Sequence, residues 1–100
     1  MALKIEQKHG ILNVTGILTS ANANRLKNHF NRFLKKADAV ILNLEGITKI
    51  ETTGAYTVEQ LYLDFAKNNR IISIIGKENK AIVNVMKATK TSYIFSNDRI

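Results

Sequence analysis

The chain has 100 residues, of which 45% are hydrophobic and 23% charged, and it contains no Cys, Pro or Trp. This length and composition predict one globular domain over residues 1–100 and exclude a multidomain enzyme or a disordered tail. Without Cys there can be no disulfide, thiol nucleophile or thiolate metal site. Because the sequence has no apolar run of roughly 18 residues and no signal-peptide pattern, we expect no membrane insertion and a cytoplasmic location.

Charge is the second global feature, because 15 Lys and Arg against 8 Asp and Glu leave a net charge of +7. Residues 1–50 hold 8 basic and 3 acidic side chains, and residues 51–100 hold 7 and 5. Arg25, Arg32 and Lys36 cluster on one side of the first predicted helix, which indicates either a solvated face or a docking surface for phosphate or acidic groups. Most of the 7 aromatic residues fall on predicted core faces without interleaved basic residues, which argues against a nucleic-acid partner.

The first third of the chain predicts a β-hairpin followed by a helix. Residues 3–7 and 11–15 alternate apolar with polar side chains, as half-buried strands do. A first helix is predicted over residues 20–36, with Thr19 and Ser20 as N-cap candidates. Its apolar face is formed by Ala23, Leu26, Phe30, Phe33, Leu34 and Ala37.

The middle of the chain predicts a buried strand, a connection and a second helix. Residues 39–44 form a nearly continuous apolar run, which predicts a central strand buried on both faces. Residues 45–54 are expected to be a connection with Ile47 and Ile50 turned inward. In the helix that follows, apolar side chains recur at helical spacing, at Val58, Leu61, Tyr62 and Phe65.

The last part of the chain predicts a buried strand at residues 71–75, a shorter helix and an edge strand at residues 93–95. The apolar side of that helix is formed by Ile82, Val85, Met86 and Thr89. Strands and helices in this order, joined by right-handed crossovers, predict an α/β fold. We expect a mixed sheet of four to five strands with parallel inner strands, and about three helices packed mainly on one face.

One segment combines an acid with two hydroxyls at the point where a helix begins. Glu51, Thr52 and Thr53 immediately precede Gly54, which opens the second predicted helix. Backbone N–H groups at a helix N-terminus are unpaired and carry partial positive charge, so a phosphate on either Thr would be stabilised there. The alternative is that Thr52 or Thr53 only caps the helix.

This segment resembles the signature of the STAS family of anti-sigma-factor antagonists. In that family a buried strand and a short loop lead to Asp-Ser-Ser-Gly or Asp-Ser-Thr-Gly at a helix start. Gly16-Ile17-Leu18-Thr19 is similar to the Gly-x-Leu-Asp before the family's first helix, and the resemblance extends from about residue 3 to residue 95. Glu51 stands where the family has Asp, Thr52 where it usually has Ser, and Thr19 where an acid is common.

The resemblance implies a non-enzymatic regulatory protein that switches partners. By position, Thr52 would be the phosphoacceptor, with Glu51, Thr53 and Gly54 as the motif around it. A serine/threonine kinase that doubles as the anti-sigma factor would phosphorylate Thr52 and would bind the unphosphorylated form. The residues expected to contact a partner are Thr19, Ser20, Tyr56 and Leu63.

A second function stays open, because STAS-like proteins also serve as small cytoplasmic subunits of ABC transporters that move lipids, where the partner is an ATPase. No catalytic residue is predicted, since the sequence has no Gly-rich phosphate loop and no nucleophile with a base beside it. His9 and His29 are isolated, so we expect no metal or cofactor. The sequence does not predict the oligomeric state.

Overall fold

The computed structural model describes residues 3–95. The order of the first seven elements is the predicted one, and the chain then ends its described part in a single 3₁₀ turn. The elements are β1 (Leu3–Lys8), β2 (Ile11–Leu18), α1 (Ala23–Phe33), β3 (Ala39–Ile50), α2 (Thr52–Lys67), β4 (Ile71–Ile75), α3 (Lys80–Ala88) and the 3₁₀ turn (Ser92–Ile94).

The four strands form one mixed sheet in the order β1-β2-β3-β4. β1 and β2 are antiparallel and are joined at His9 and Gly10, whose φ angles are 52° and 79°. Positive φ at both positions is what a two-residue type I′ turn requires. The β2–β3 and β3–β4 pairs are parallel, because α1 and α2 cross over between those strands. The predicted mixed sheet with parallel inner strands is therefore confirmed.

The core lies on one face of the sheet, beneath the helices. Every second side chain of β2 is buried there, and the side chains between them are half-buried. α1 and α2 meet through the rings of Phe30 and Phe65, whose centroids lie 5.7 Å apart in an edge-to-face arrangement. The large core side chains with no exposed surface are Leu12, Val14, Leu18, Leu26, Leu42, Leu44, Val58, Ile74, Ile82 and Met86.

The opposite face of the sheet carries no helix among residues 3–95, which corrects the expectation that the central strand is buried on both sides. Ile41 and Asn43 of β3 are only half-buried there. Asn43 pairs in register with Asn13 of β2, and its Nδ2 donates a hydrogen bond to Asn13 Oδ1 at 2.8 Å. β4 is the edge strand of the sheet, and its Ile71 is 65% exposed, so the expected buried strand at residues 71–75 is only partly buried.

β3 continues further than the sequence predicted. Residues 45–50, expected to be part of a connection, belong to this strand, which runs to Ile50. Two irregularities in the β2–β3 register absorb the extra length, and Thr48 Oγ1 donates to the Gly16 carbonyl at 3.1 Å across the pair. Ile47 and Ile50 are buried, as predicted.

α1 is shorter than the predicted helix over residues 20–36. Its N-cap residue is Asn22, where the sequence suggested Thr19 or Ser20. The reason is a turn at residues 19–22, in which the Thr19 carbonyl accepts hydrogen bonds from the N–H groups of Asn22 and Ala23 at 3.2 and 2.9 Å. The helix ends at Phe33.

Residues 93–95 do not form the expected edge strand. The chain closes a 3₁₀ turn at Ile94, and within residues 3–95 the strand pairing of Phe95 is a single isolated parallel bridge with Ile74 of β4. Ile94 and Phe95 are buried, so core packing holds this segment in place of a ladder of hydrogen bonds.

Candidate functional site

The N-terminus of α2 is held by Glu51. Glu51 is the N-cap residue, and its extended backbone has φ −92° and ψ 164°. Its side chain does not cap the helix, because Oε1 accepts a hydrogen bond from the Ser20 N–H at 2.9 Å instead. The Glu51 N–H donates to the Leu18 carbonyl at 2.9 Å. The start of α2 is thus joined to both the end of β2 and the turn before α1.

Thr52 and Thr53 are the first two residues of α2, and both are exposed. Neither hydroxyl caps the helix, so the capping alternative is wrong. The Thr53 carbonyl accepts a hydrogen bond from Thr57 Oγ1 at 2.9 Å. Within residues 3–95 the Thr52 hydroxyl has no hydrogen-bond partner. It therefore stands exposed at the positive end of a 16-residue helix that has no acidic residue in its first turn.

Gly54 brings this helix end close to the sheet. A Cβ at residue 54 would lie 2.8 Å from Leu18 Cγ, 3.0 Å from the Leu18 carbonyl oxygen and 3.1 Å from Ile50 Cγ1. Two of these distances involve core side chains and one involves backbone, so any larger residue would push α2 away from the ends of β2 and β3. Gly at this position fixes where Thr52 stands relative to the sheet.

The turn at residues 19–22 forms the other side of the site. Thr19 is half-buried, and its Oγ1 accepts a hydrogen bond from the Ala21 N–H at 3.2 Å. The Thr19 N–H donates to Asn22 Oδ1 at 2.8 Å, and Asn22 Nδ2 donates to the Ile17 carbonyl at 2.9 Å. These short contacts order the turn and place the Ser20 N–H against the Glu51 carboxylate. The two segments selected from the sequence are therefore adjacent in the fold.

Tyr56 and Leu63 lie on the outer side of α2, where they are 49% and 42% exposed. At the helical repeat, Thr52, Tyr56 and Leu63 fall within about 40° of one another around the helix axis. Buried residues occupy the opposite side of α2, namely Gly54, Ala55, Val58, Leu61 and Phe65. We call the exposed row of Thr52, Tyr56 and Leu63 the α2 ridge. It combines a free hydroxyl at its start with two large apolar side chains along its length.

Tyr93 and Glu59 extend the α2 ridge sideways, and the sequence did not suggest either residue. Tyr93 is 57% exposed, and its hydroxyl donates a hydrogen bond to Glu59 Oε2 at 2.6 Å. Its ring also meets Tyr62 edge-to-face, with centroids 6.0 Å apart. The hydrogen bond to Glu59, with a smaller contribution from burial, raises the pKa of Tyr93 to about 12. No local pattern links residues 34 positions apart, so only the fold reveals this contact.

The site combines an exposed hydroxyl with the backbone N–H groups of a helix N-terminus. Across residues 3–95 no group of three His, Asp or Glu side chains is placed to hold a metal ion. No helix in that part of the chain is long and apolar enough to span a bilayer. What the site offers is an exposed hydroxyl at a helix N-terminus, an ordered turn beside it and an apolar row leading away from it.

Comparison with known families agrees with this arrangement, since the model of the STAS domain matches residues 1–94. The chain belongs to the STAS domain family. A comparison with curated proteins found no significant match. STAS domains generally mediate protein–protein interactions. The two sequence segments that resemble this family, residues 16–19 and 51–54, are neighbours in the fold.

Solved structures share the fold at low sequence identity. A proposed anti-sigma factor antagonist from Thermotoga maritima is similar with a TM-score of 0.72 and 15% identity, over 94% of this chain and 83% of that one. An anti-sigma factor antagonist from Mycobacterium paratuberculosis is similar with a TM-score of 0.69 and 15% identity, over 94% and 81%. A longer chain, Mglu, matches with a TM-score of 0.62 and 13% identity, over 76% of this chain and 20% of its own length. Likeness at this level of identity establishes the STAS fold.

Proposed function

We propose that this STAS domain is a partner-switching regulator of the anti-sigma-factor-antagonist kind. It binds a serine/threonine kinase that also acts as an anti-sigma factor, and phosphorylation of Thr52 by that kinase causes the complex to dissociate. The observation that carries the proposal is the exposed Thr52 hydroxyl, which has no partner in the described chain and stands at the N-terminus of α2.

The binding surface in this proposal has two parts. The α2 ridge supplies Tyr56, a residue type that often carries much of the binding energy in protein interfaces, and Leu63, which adds exposed apolar surface. The turn with Thr19 and Ser20 lies beside Thr52, fixed there by the Glu51–Ser20 hydrogen bond. A partner that contacts both parts has Thr52 at the centre of the interface, where a change of charge costs the most.

Phosphorylation of Thr52 would act through charge. A phosphate adds about −1.5 to −2 charges and three acceptor oxygens. The unpaired N–H groups of the first turn of α2 stabilise it, while the Glu51 carboxylate, one residue away, repels it. The modified domain stays folded, but it presents a dianion where the partner met a neutral hydroxyl. This is the physical basis of the switch.

The first test identifies the partner and the modification together. The tagged protein is captured from its native host, and mass spectrometry identifies the bound proteins and the mass of the peptide that contains Thr52. We expect a kinase-like ATPase in the bound fraction and a phosphate on Thr52 in the unbound pool. An ABC-type ATPase with Thr52 unmodified would instead favour a transporter subunit and contradict the proposal.

The second test uses the captured kinase and two charge variants. Thr52→Asp is expected to weaken binding about tenfold or more, because it places a carboxylate on the α2 ridge. Thr53→Asp is the matched control, since it adds the same charge one residue later, about 100° around the helix axis. Both affinities are measured by titration calorimetry. Equal affinity of Thr52→Asp and the unmodified protein would overturn the proposal.

A further inference from the structure

A second surface, away from the α2 ridge, lies between β1 and α1. It is a shallow groove lined by Ile5, Arg25, Asn28, His29, Arg32 and Phe33, and we call it the α1 groove. We propose that the α1 groove docks an acidic segment of a partner protein that carries at least one apolar side chain. This inference does not depend on the phosphorylation of Thr52.

Five of the six residues that line the groove lie in a part of the chain with no acidic residue. Between Glu6 and Asp38 the sequence contains no Asp or Glu, and its basic residues are Lys8, Arg25, Lys27, Arg32, Lys35 and Lys36. All six are exposed. Neither Arg25 nor Arg32 forms an ion pair with any residue between 3 and 95. An uncompensated positive field of this kind attracts a negatively charged partner and speeds its association.

The two arginines are already positioned for carboxylates. Arg25 Nη1 donates to the Leu3 carbonyl at 3.0 Å, which fixes the guanidinium and leaves its other N–H groups available. The Arg32 guanidinium lies 5.6 Å from the centroid of the Phe33 ring. Arginine recognises carboxylates through its planar fork of N–H donors. Because Arg25 is held in advance, less conformational entropy is lost when a ligand binds to it.

The apolar part of the groove is Ile5 and Phe33. Phe33 is 61% exposed at the end of α1, and its ring lies 4.9 Å from the ring of His29. His29 in turn is hydrogen-bonded through Nε2 to Gln7 Oε1 at 2.9 Å. Burial lowers the pKa of His29 and favours its neutral ring, so the fixed positive charges of the groove are those of the arginines. Apolar surface between cationic groups suits an acidic segment with an apolar side chain.

Two other anionic partners fit the groove less well. Single-stranded nucleic acid stacks successive bases on several aromatic side chains, whereas Phe33 is the one exposed aromatic ring lining this groove. A membrane surface requires an apolar stripe that inserts, whereas the exposed side of α1 carries Asn24, Asn28 and Asn31. A carboxylate-bearing protein segment uses both the guanidinium groups and the apolar floor.

The test measures binding of a short fluorescein-labelled peptide of Glu and Leu by fluorescence anisotropy, with the full chain at low and physiological salt. We expect saturable binding that weakens with salt, and no binding of the same peptide with Gln in place of Glu. Arg32→Gln and Phe33→Ser should each weaken binding about tenfold, a loss of about 1.4 kcal/mol. Circular dichroism melting establishes that both variants fold.

Lys27→Gln is the matched control, because Lys27 is also exposed on α1 but lies about 160° around the helix axis from Arg25. It should change the affinity less than twofold. An equal loss of peptide affinity in Lys27→Gln and Arg32→Gln would mean that binding depends only on net charge. That result would overturn the proposal of a defined binding groove. Absence of peptide binding, or tighter binding to oligothymidylate or to phosphatidylserine vesicles than to the peptide, would overturn the proposal as well.

Discussion

α1 and α2 lie on the same face of the same sheet, yet their outer sides differ in kind. Residues 23–33 of α1 contain Arg25, Lys27 and Arg32 and no acidic residue, a net charge of +3. Residues 52–67 of α2 contain Glu59, Asp64 and Lys67, a net charge of −1, and expose Tyr56 and Leu63. One helix presents cations around a groove, and the other presents apolar side chains behind a hydroxyl.

The difference teaches that core and surface are specified separately in this fold. Each helix contributes one apolar row to the core, and the two rows meet at Phe30 and Phe65. The remaining positions are free to differ, because exposed side chains contribute little to folding. A single sheet can therefore carry two binding surfaces of different chemistry, each changed by mutation without loss of the other.

The largest expected effect comes from a substitution that disrupts the core between α1 and α2. Phe30→Ala should lower the free energy of unfolding by about 3–5 kcal/mol, because it leaves a cavity between α1 and α2. Phe33→Ala is the matched control on the same helix and should change it by less than about 0.5 kcal/mol, since that ring is 61% exposed. Urea denaturation followed by circular dichroism gives both values, and Phe30→Leu serves if the alanine variant is unfolded. A similar loss in both alanine variants would show that Phe33 belongs to the core.

A smaller effect tests the contact that joins the two helices at their N-terminal ends. Glu51→Ala removes the acceptor of the Ser20 N–H and should destabilise the fold by about 0.5–1.5 kcal/mol. Glu51→Gln keeps an acceptor oxygen at the same reach and should lose less. Hydrogen exchange of the Ser20 amide, measured by NMR, should be faster in Glu51→Ala than in Glu51→Gln. Equal exchange rates in the two variants would mean that the hydrogen bond does not order the turn.

The smallest expected effect is the pH dependence of stability that arises from the Tyr93–Glu59 hydrogen bond beside the α2 ridge. The pKa of Tyr93 is raised to about 12 chiefly by its hydrogen bond to Glu59, so the folded state binds the phenolic proton more tightly than the unfolded state. The stability that this contact contributes is present below pH 10 and is lost as the pH rises toward 12. In Glu59→Gln, the phenolate absorbance of Tyr93 should appear at lower pH. Tyr93→Phe identifies its signal among the three tyrosines, and an unchanged midpoint in Glu59→Gln would assign the shift to burial alone.

Features set by local pattern were predictable from the sequence. The alternation in residues 11–15 and the helical spacing from Val58 to Phe65 both gave the observed elements, because neighbours in sequence determine which side chains share a face. The start of α2 was predicted to within two residues, since the helix begins at Thr52 and the sequence had suggested Gly54. The candidate site at Glu51, Thr52, Thr53 and Gly54 was predicted because these four contiguous residues resemble the family signature.

Features set by distant partners were not predictable. Residues 45–50 contain Glu45 and Gly46 and suggested a connection, but pairing with β2 extends the strand to Ile50. The Ser20–Glu51 hydrogen bond joins residues 31 positions apart, and the Tyr93–Glu59 bond joins residues 34 apart. Neither spacing corresponds to a helical or strand repeat, so no periodic signal could reveal them. The α1 groove likewise exists only because β1 lies beside α1.

The Asn13–Asn43 pair on the open face selects the register between β2 and β3, which the hydrophobic pattern alone does not determine. Sliding β3 along β2 by two residues would return every core side chain to the covered face, so alternation alone permits that slip. In the slipped sheet, however, Asn13 would lie opposite Ile41 or Glu45, and two partly buried amides would lose each other as partners. Losing this hydrogen bond costs about 0.5–1.5 kcal/mol. Two polar residues thus select one alignment of the central strands among several that are equally hydrophobic.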